Sequence, residues 1–423
     1  MNALIRSAPL LPRRGAPDLP PHGSDFADHY SGVGGNDFYA MMREVDFLME
    51  KGFPLCLALV MGEMDASVCR QIKRVAARQA DYVAWAMMGP VLIAVFRKGL
   101  FDELARAWRL IALGDSDLTA GVVFSDSLGN HEELLAAARI ALQRAMIQHI
   151  DMLVLTPPEA VQAISDHHTA MVMKRHLSVG GGAFAAHFQP QIHIESGRPM
   201  GVEALARWYP DDEHVPPSRF IPIAEENGLI SDIGEMMLAL SARALKVLRG
   251  NGIAIPHIAV NVSPLQSRHG DFMRTVTDIL KSERLQTSDI ELEITESIVG
   301  DSGDDFLAWL TDLSSAGFRI AIDDFGTGTS TLARIRDIPA HKIKLDRAFV
   351  TPLPHDEAAC TTFRSALDLV HGLGKTSLAE GVEYAAQAAY LNALGCAMGQ
   401  GYLWARPMPE RDLVAWWSGH STH

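Results

Sequence analysis

The sequence predicts an α/β protein in two parts: a (β/α)8 barrel of the TIM type over residues 183–420, preceded by a smaller α+β domain with a ferredoxin-like order of elements. Three observations predict it. From His187 onward, short apolar runs alternate with helical segments, the pattern of parallel βα units. The polar residues that end those runs recur at barrel spacing: Asn261 to Glu293 is 32 residues and Glu293 to Asp323 is 30, against roughly 30 per unit in a barrel. Before them, the elements follow the order β-α-β-β-α-β with one more helix and strand.

Composition bounds the function. A chain of 423 residues, 48% hydrophobic and 21% charged, is globular and long enough for two or three cores. The net charge of −14 weighs against nucleic acid or an anionic membrane as a partner, so an anionic substrate needs a metal ion or an arginine. Cys56, Cys69, Cys360 and Cys396 form no CxxC pair and no metal spacing, which fits free thiols in a reducing cytoplasm. The uncharged apolar run Tyr82 to Phe96 is too short for a membrane span of about 20 residues and is broken by Gly89-Pro90. A cytoplasmic protein without a membrane span is expected.

Residues 1–35 are rich in proline and glycine, lack the apolar core of a signal peptide and read as a disordered leader. The first domain, 36–156, begins with Phe38, Met41, Met42, Val45 and Leu48 at helical spacing, stopped by Gly52. A strand (Leu55 to Val60) and a helix from near Asp65 follow. Two strands (Tyr82 to Met87, Val91 to Phe96) flank a Gly89-Pro90 turn. Next come a helix (Phe101 to Ala112), a strand (Leu118 to Phe124), a helix (Glu132 to Gln148) and a strand (Met152 to Leu155). Pro157-Pro158 opens a connecting helix, and 157–182 form the link to the barrel.

Within 183–420 the strand ends are polar. "MGVEALARW" supplies Glu203 and Arg207; "HIAVNVS" supplies Asn261; "IELEITES" supplies Glu293 and Glu296; "FRIAIDD" supplies Asp323 and Asp324. "HKIKLD" adds Lys344, "SLAEGVE" adds Glu380 and Glu383, and "MGQGYL" adds Gln400. A barrel gathers its strand ends on one face, so these residues converge. Glu203, Asn261, Glu293 and Asp323 offer only hard oxygen donors, which suits Mg2+ or Mn2+. The adjacent carboxylates Asp323 and Asp324 repel one another unless a cation lies beside them, and with Glu380 near them a second ion becomes feasible, with Asp323 as the bridge. Lys344, the one ammonium in the set, could orient water or offset developing charge. The pattern points to phosphodiester hydrolysis.

The motifs "FQPQI", "GVEALARW", "FIPIAEENGLI", "NVSPLQ", "LEITES", "DDFGTGTST", "IKLD", "AEGVE" and "GQGYLWARPMP", in this order, resemble the EAL domain family, which hydrolyses the bacterial second messenger cyclic di-GMP to linear pGpG. The resemblance covers residues 180–420. It implies that Glu203, Asn261, Glu293 and Asp323 bind a first metal and that Asp323 and Asp324 serve a second. It implies that Glu380 and Lys344 hold and activate the nucleophilic water, with Glu380 the better general base. Gln189, Arg207 and Gln400 match positions that contact substrate or order its pocket. Glu296 resembles the acid that anchors the loop after the aspartates, with Ser330 as its partner. Dimers through the barrel are frequent in the family, so a homodimer is an expected assembly.

Three positions depart from the family pattern. Gly328-Thr329-Ser330-Thr331 stands where the family has Gly-Tyr-Ser-Ser, Ala397 stands where an acid is common, and Trp404 replaces a phenylalanine. Residues 53–155 resemble a GGDEF domain, but the hairpin "WAMMGPVLIAVF" carries no acid to hold metal. The resemblance thus implies a degenerate regulatory or dimer-forming module, open to a protein partner or a nucleotide. The competing functional reading is a non-catalytic cyclic di-GMP receptor signalling through that module.

Overall fold

The computed structural model describes residues 38–62, 82–88, 91–97, 118–267, 271–296, 304–326 and 332–420. The chain forms two compact units, Met1–His168 and Thr169–His423.

In the first unit, helix Phe38–Glu50 leads into strands β1 (Leu55–Met61), β2 (Tyr82–Met88), β3 (Val91–Arg97), β4 (Thr119–Phe124) and β5 (Met152–Leu155). They form one sheet in the order β2-β3-β1-β4-β5. The most apolar strand, β1, is central and antiparallel to both β3 and β4. Helix His131–Ile147 is capped by Asn130, whose side chain accepts from the Glu133 N–H. It packs so closely that a Cβ on Gly121 of β4 would lie 2.1 Å from Leu142 N, which is why glycine stands mid-strand. The leader, the helices expected near Asp65 and at Phe101 to Ala112, and the Gly89-Pro90 turn lie outside the described residues.

In the second unit, eight strands close a barrel: β6 (Phe184–His193), β7 (Pro199–Trp208), β8 (Ile258–Asn261), β9 (Ile290–Thr295), β10 (Arg319–Phe325), β11 (Lys342–Leu345), β12 (Thr376–Ala379) and β13 (Met398–Gly399). The sequence suggested parallel units throughout. Instead β6 runs antiparallel to both neighbours, β7 and β13, while β7 to β13 pair in parallel. The cause is the link between β6 and β7, a tight turn at residues 194–198 with Gly197 at φ 69°. A parallel pairing would need a crossover of a dozen or more residues.

Alternation along the strands sorts the side chains. Val202, Ala204 and Trp208 of β7 face outward into the apolar layer beneath the helices, where Trp208 stacks on Phe184 and meets Phe220 edge-on. Helix Ile230–Gly250 buries Ile233, Met237 and Leu245 in that layer. The barrel interior is polar: Gln189, Gln191, Glu203, Glu291, Glu293, Asp323, Lys342 and Lys344 are all buried. Buried charge persists only where it is paired, so this interior must be an ordered network.

Candidate active site

Asp323 and Asp324 lie just before the last residue of β10, where a regular strand would aim them at opposite faces. The register between β10 and β11 shifts between Ile322 and Phe325, and Asp324 takes a left-handed φ of 51°. This bulge re-aims the second carboxylate. Oxygens of Asp323, Asp324 and Glu380 consequently lie within 4.8 Å of one another. The Asp324 N–H donates to Asp323 Oδ1 at 2.9 Å, holding the turn. Gly326 follows at φ 97°, where a Cβ would sit 2.0 Å from the Phe349 ring, and its N–H donates to Glu296 Oε2 at 2.6 Å. Glu296 is thus tied to the start of the loop, whereas Thr329 and Ser330 lie outside the described residues.

Lys344 of β11 is fully buried, and four carboxylates surround it. Its Nζ lies 2.8 Å from Glu380 Oε1, 2.9 Å from Glu293 Oε2, 3.0 Å from Asp323 Oδ1 and 3.4 Å from Glu203 Oε2. Glu203 also accepts from Asn261 Nδ2 at 2.8 Å and Gln400 Nε2 at 2.7 Å. Glu203, Glu293 and Asp323 present oxygens within 4.8 Å of one another.

One ammonium does not neutralise this set, and the ionisation of the group records the deficit. Burial opposes the charge on Lys344, but the surrounding carboxylates outweigh it and hold the ammonium charged far above the usual lysine range. Burial, with Glu203 beside it, pushes Glu293 well up. Burial pushes Glu380 up to about 8, and burial with the Asp323 charge pushes Asp324 up to about 6. Glu203 alone moves down: its burial is overcome by Lys344 and by the Gln400 and Asn261 donors. A cluster of oxygen donors short of positive charge fits a hard divalent cation.

Around this centre, Gln189 pairs across the barrel seam with Glu203, donating from Nε2 to Ala405 O and accepting from Gln400 Nε2, each at 3.1 Å. Gln400 Oε1 is buried and has no hydrogen-bond partner among the described residues. Arg207, on the same face of β7 as Glu203 and nearer its C-terminal end, is half-buried and donates to Ala206 O. Glu383 is not among the carboxylates around Lys344. Strand β12 ends at Ala379, the chain turns at Gly381 (φ 68°), and Glu383 is exposed, its N–H donating to Gln387 Oε1.

A family model described as the EAL domain matches residues 174–407. The chain belongs to the EAL domain family. The bifunctional diguanylate cyclase/cyclic di-GMP phosphodiesterase MucR of Pseudomonas aeruginosa is 40% identical over 230 residues, 54% of this chain and 34% of that protein. The cyclic di-GMP phosphodiesterase RocR of the same organism is 34% identical over 239 residues, 56% of this chain and 61% of its own. Among solved structures, the PaMucR phosphodiesterase in complex with c-di-GMP is 37% identical at a TM-score of 0.55, covering 58% of this chain and 99% of that one. The chain spans about a third of the length of the first curated relatives it matches. In this EAL domain the naming tripeptide splits by alternation: Glu203 faces the interior and Ala204 the apolar layer outside. Among the described residues, no helix is long and apolar enough to cross a membrane.

Sequence reasoning missed Gln191, Glu291 and Lys342, all buried in the barrel of the EAL domain. Each lies two residues before or after a residue that was identified: Gln191 after Gln189, Glu291 before Glu293, and Lys342 before Lys344. Positions two apart share a strand face, so "ELE", "KIK" and "QPQ" were the available signal in "IELEITES", "HKIKLD" and "FQPQI".

Proposed function

We propose that the barrel hydrolyses cyclic di-GMP to linear pGpG with one or two Mg2+ or Mn2+ ions. The observation that carries this is the ring of Glu203, Glu293, Asp323 and Glu380 around the buried Lys344 at the carboxyl ends of the strands. Glu203, Asn261, Glu293 and Asp323 would hold the first ion, and Asp323 with Asp324 a second. A bound divalent ion would supply Lewis acidity, acidifying water and offsetting charge at phosphorus.

The chain's own residues do the rest. Arg207 has a planar donor fork suited to a phosphate. Gln189 and Gln400 hydrogen-bond to one another beside Glu203, and the unpartnered Gln400 Oε1 offers an acceptor to a donor on the dinucleotide. Glu380, held by Lys344 at 2.8 Å, accepts a proton from the attacking water. The water oxygen joins phosphorus, the bond from phosphorus to the ribose 3′ oxygen breaks, and that oxygen takes a proton from bulk water while Glu380 releases its own to solvent. Lys344 keeps its proton and orients Glu380 and the water.

Incubating the purified chain with cyclic di-GMP and Mn2+ or Mg2+ tests the reading. Chromatography is expected to show pGpG from the wild type and none from Glu203→Ala. Cyclic di-GMP bound but left intact by the wild type would favour the receptor reading and overturn this one.

A further inference from the structure

Below the ring around Lys344, the barrel holds a second polar layer. We infer that Gln191 and Lys342 are positioning residues that fix the carboxylate of Glu293 from beneath, an assignment that rests on Glu293 being a metal ligand. Lys342 Nζ donates to Gln191 Oε1 at 2.8 Å and to Glu291 Oε1 at 2.6 Å. An ammonium only donates, so the oxygen of the Gln191 amide must face Lys342. The amide nitrogen is thereby turned the other way. There it lies 3.4 Å from Glu293 Oε1, as a donor.

Glu293 is therefore held from two sides. Oε2 takes the Lys344 ammonium at 2.9 Å, and Oε1 faces the Gln191 amide. Without Lys342, the amide would keep its direction only through its long 3.4 Å contact with Glu293 Oε1. Lys342 is itself fixed, because Glu291 Oε1 holds it and Glu291 Oε2 lies 2.7 Å from His341 Nε2. Gln191, Glu291 and Lys342 are at most 1% exposed, so solvent cannot substitute for these partners. The layer has room for this network because Gly201 stands opposite Gln191, where a Cβ would meet His257 Nε2 at 2.8 Å. Outer groups of this kind set ligand direction and typically govern about 10- to 100-fold of metal affinity.

Calorimetric titration of Mn2+ into the full chain tests the assignment, using Gln191→Met, the double variant Lys342→Met with Glu291→Gln, and Glu291→Gln alone. Gln191→Met removes the donor and keeps the Lys342–Glu291 pair. The double variant removes both charges together, leaving the Gln191 amide unfixed, and Glu291→Gln retains the Lys342–Gln191 bond. The Kd for Mn2+ is expected to rise about tenfold or more in the first two and to stay near wild type in the third. With cyclic di-GMP at saturating Mn2+, KM is expected to hold while kcat falls, a split that a merely structural role would not give. Thermal unfolding of each metal-free variant shows that it is folded. Wild-type Kd in both Gln191→Met and the double variant would overturn the assignment and leave the proposed activity intact. Weakened Mn2+ binding in those variants, in a wild type that binds Mn2+ without turnover, would support the assignment and overturn the activity.

Discussion

The two polar layers of the barrel invert each other. In the upper layer one ammonium, Lys344, faces Glu203, Glu293, Asp323 and Glu380. In the lower layer one carboxylate, Glu291, faces Lys342 at 2.6 Å, His341 at 2.7 Å, and His257 and Arg319 at 3.5 Å. Ionisation follows the imbalance. Despite the cost of burial, Lys342 holds Glu291 well below the usual carboxylate range, whereas burial pushes Glu293 and Glu380 above it. The lower layer carries its own countercharge; the upper layer has an excess of carboxylates that could hold a cation. The central charge is buried in both, Lys344 above and Glu291 below, so the difference lies in the sign of what surrounds it.

The largest expected effect lies in the upper layer: Glu380→Gln lowers kcat by about 10²- to 10⁴-fold, the range for loss of a general base, measured as initial rates of pGpG release. Next comes a pair of substitutions that removes the minority charge of each layer. Lys344→Met leaves buried carboxylates without their ammonium, and Glu291→Gln leaves Lys342 without its carboxylate. Each is expected to cost about 3–5 kcal/mol in the metal-free protein. Denaturation with added Mn2+ separates them: the ion restores much of the loss in Lys344→Met, by binding only the folded state, and little of it in Glu291→Gln. Equal rescue of both would erase the distinction between the layers.

The layers should also respond to pH with opposite sign. Glu380 and Asp324 have folded pKa values raised to about 8 and about 6. Their contribution to the metal-free fold is therefore complete below the ordinary carboxylate range and is lost as pH rises through those values. The same protons must leave when a cation binds, so Mn2+ affinity climbs between about pH 6 and 8. In the lower layer, burial lowers His257 to about 4, and Glu291 is lowered as well. The His257 contribution is present above about pH 6.5 and is lost as pH falls toward about 4, whereas that of Glu291 is present above the ordinary carboxylate range and is lost only as pH falls below it, because the unfolded chain binds protons the folded one refuses. Thermal melts from pH 4 to 9, with and without Mn2+, read both trends. The smallest effect is at the rim: Arg319→Gln, at a side chain 41% exposed, should cost under about 1 kcal/mol and leave Mn2+ binding unchanged.

Much of the upper layer was legible because its residues end strands, and strand ends of a barrel converge wherever the spacing is regular. Glu203, Asn261, Glu293, Asp323, Lys344 and Glu380 were found in this way. Glu383 follows a strand end by four residues, past a left-handed turn at Gly381 that sequence spacing does not display. The reversal of β6 was hidden because strand direction depends on loop length, and the short 194–198 link was passed over. The lower layer was missed for a different reason. Charged residues one pleat inside a strand read as solvated faces, and only the closed barrel shows that Glu291 and Lys342 point at each other. The Asp323-Asp324 pair needed the structure most, since regular alternation would have separated two carboxylates that the bulge at φ 51° brings together.

The most direct test of the central claim is the fate of the attacking oxygen. Cyclic di-GMP turned over in oxygen-18 water with Mn2+ should yield pGpG whose terminal phosphate carries one heavy oxygen, and chelation of the metal or Glu203→Ala should abolish that product. Intact dinucleotide in the presence of metal, or label on the ribose 3′ oxygen in place of the phosphate, would contradict the account.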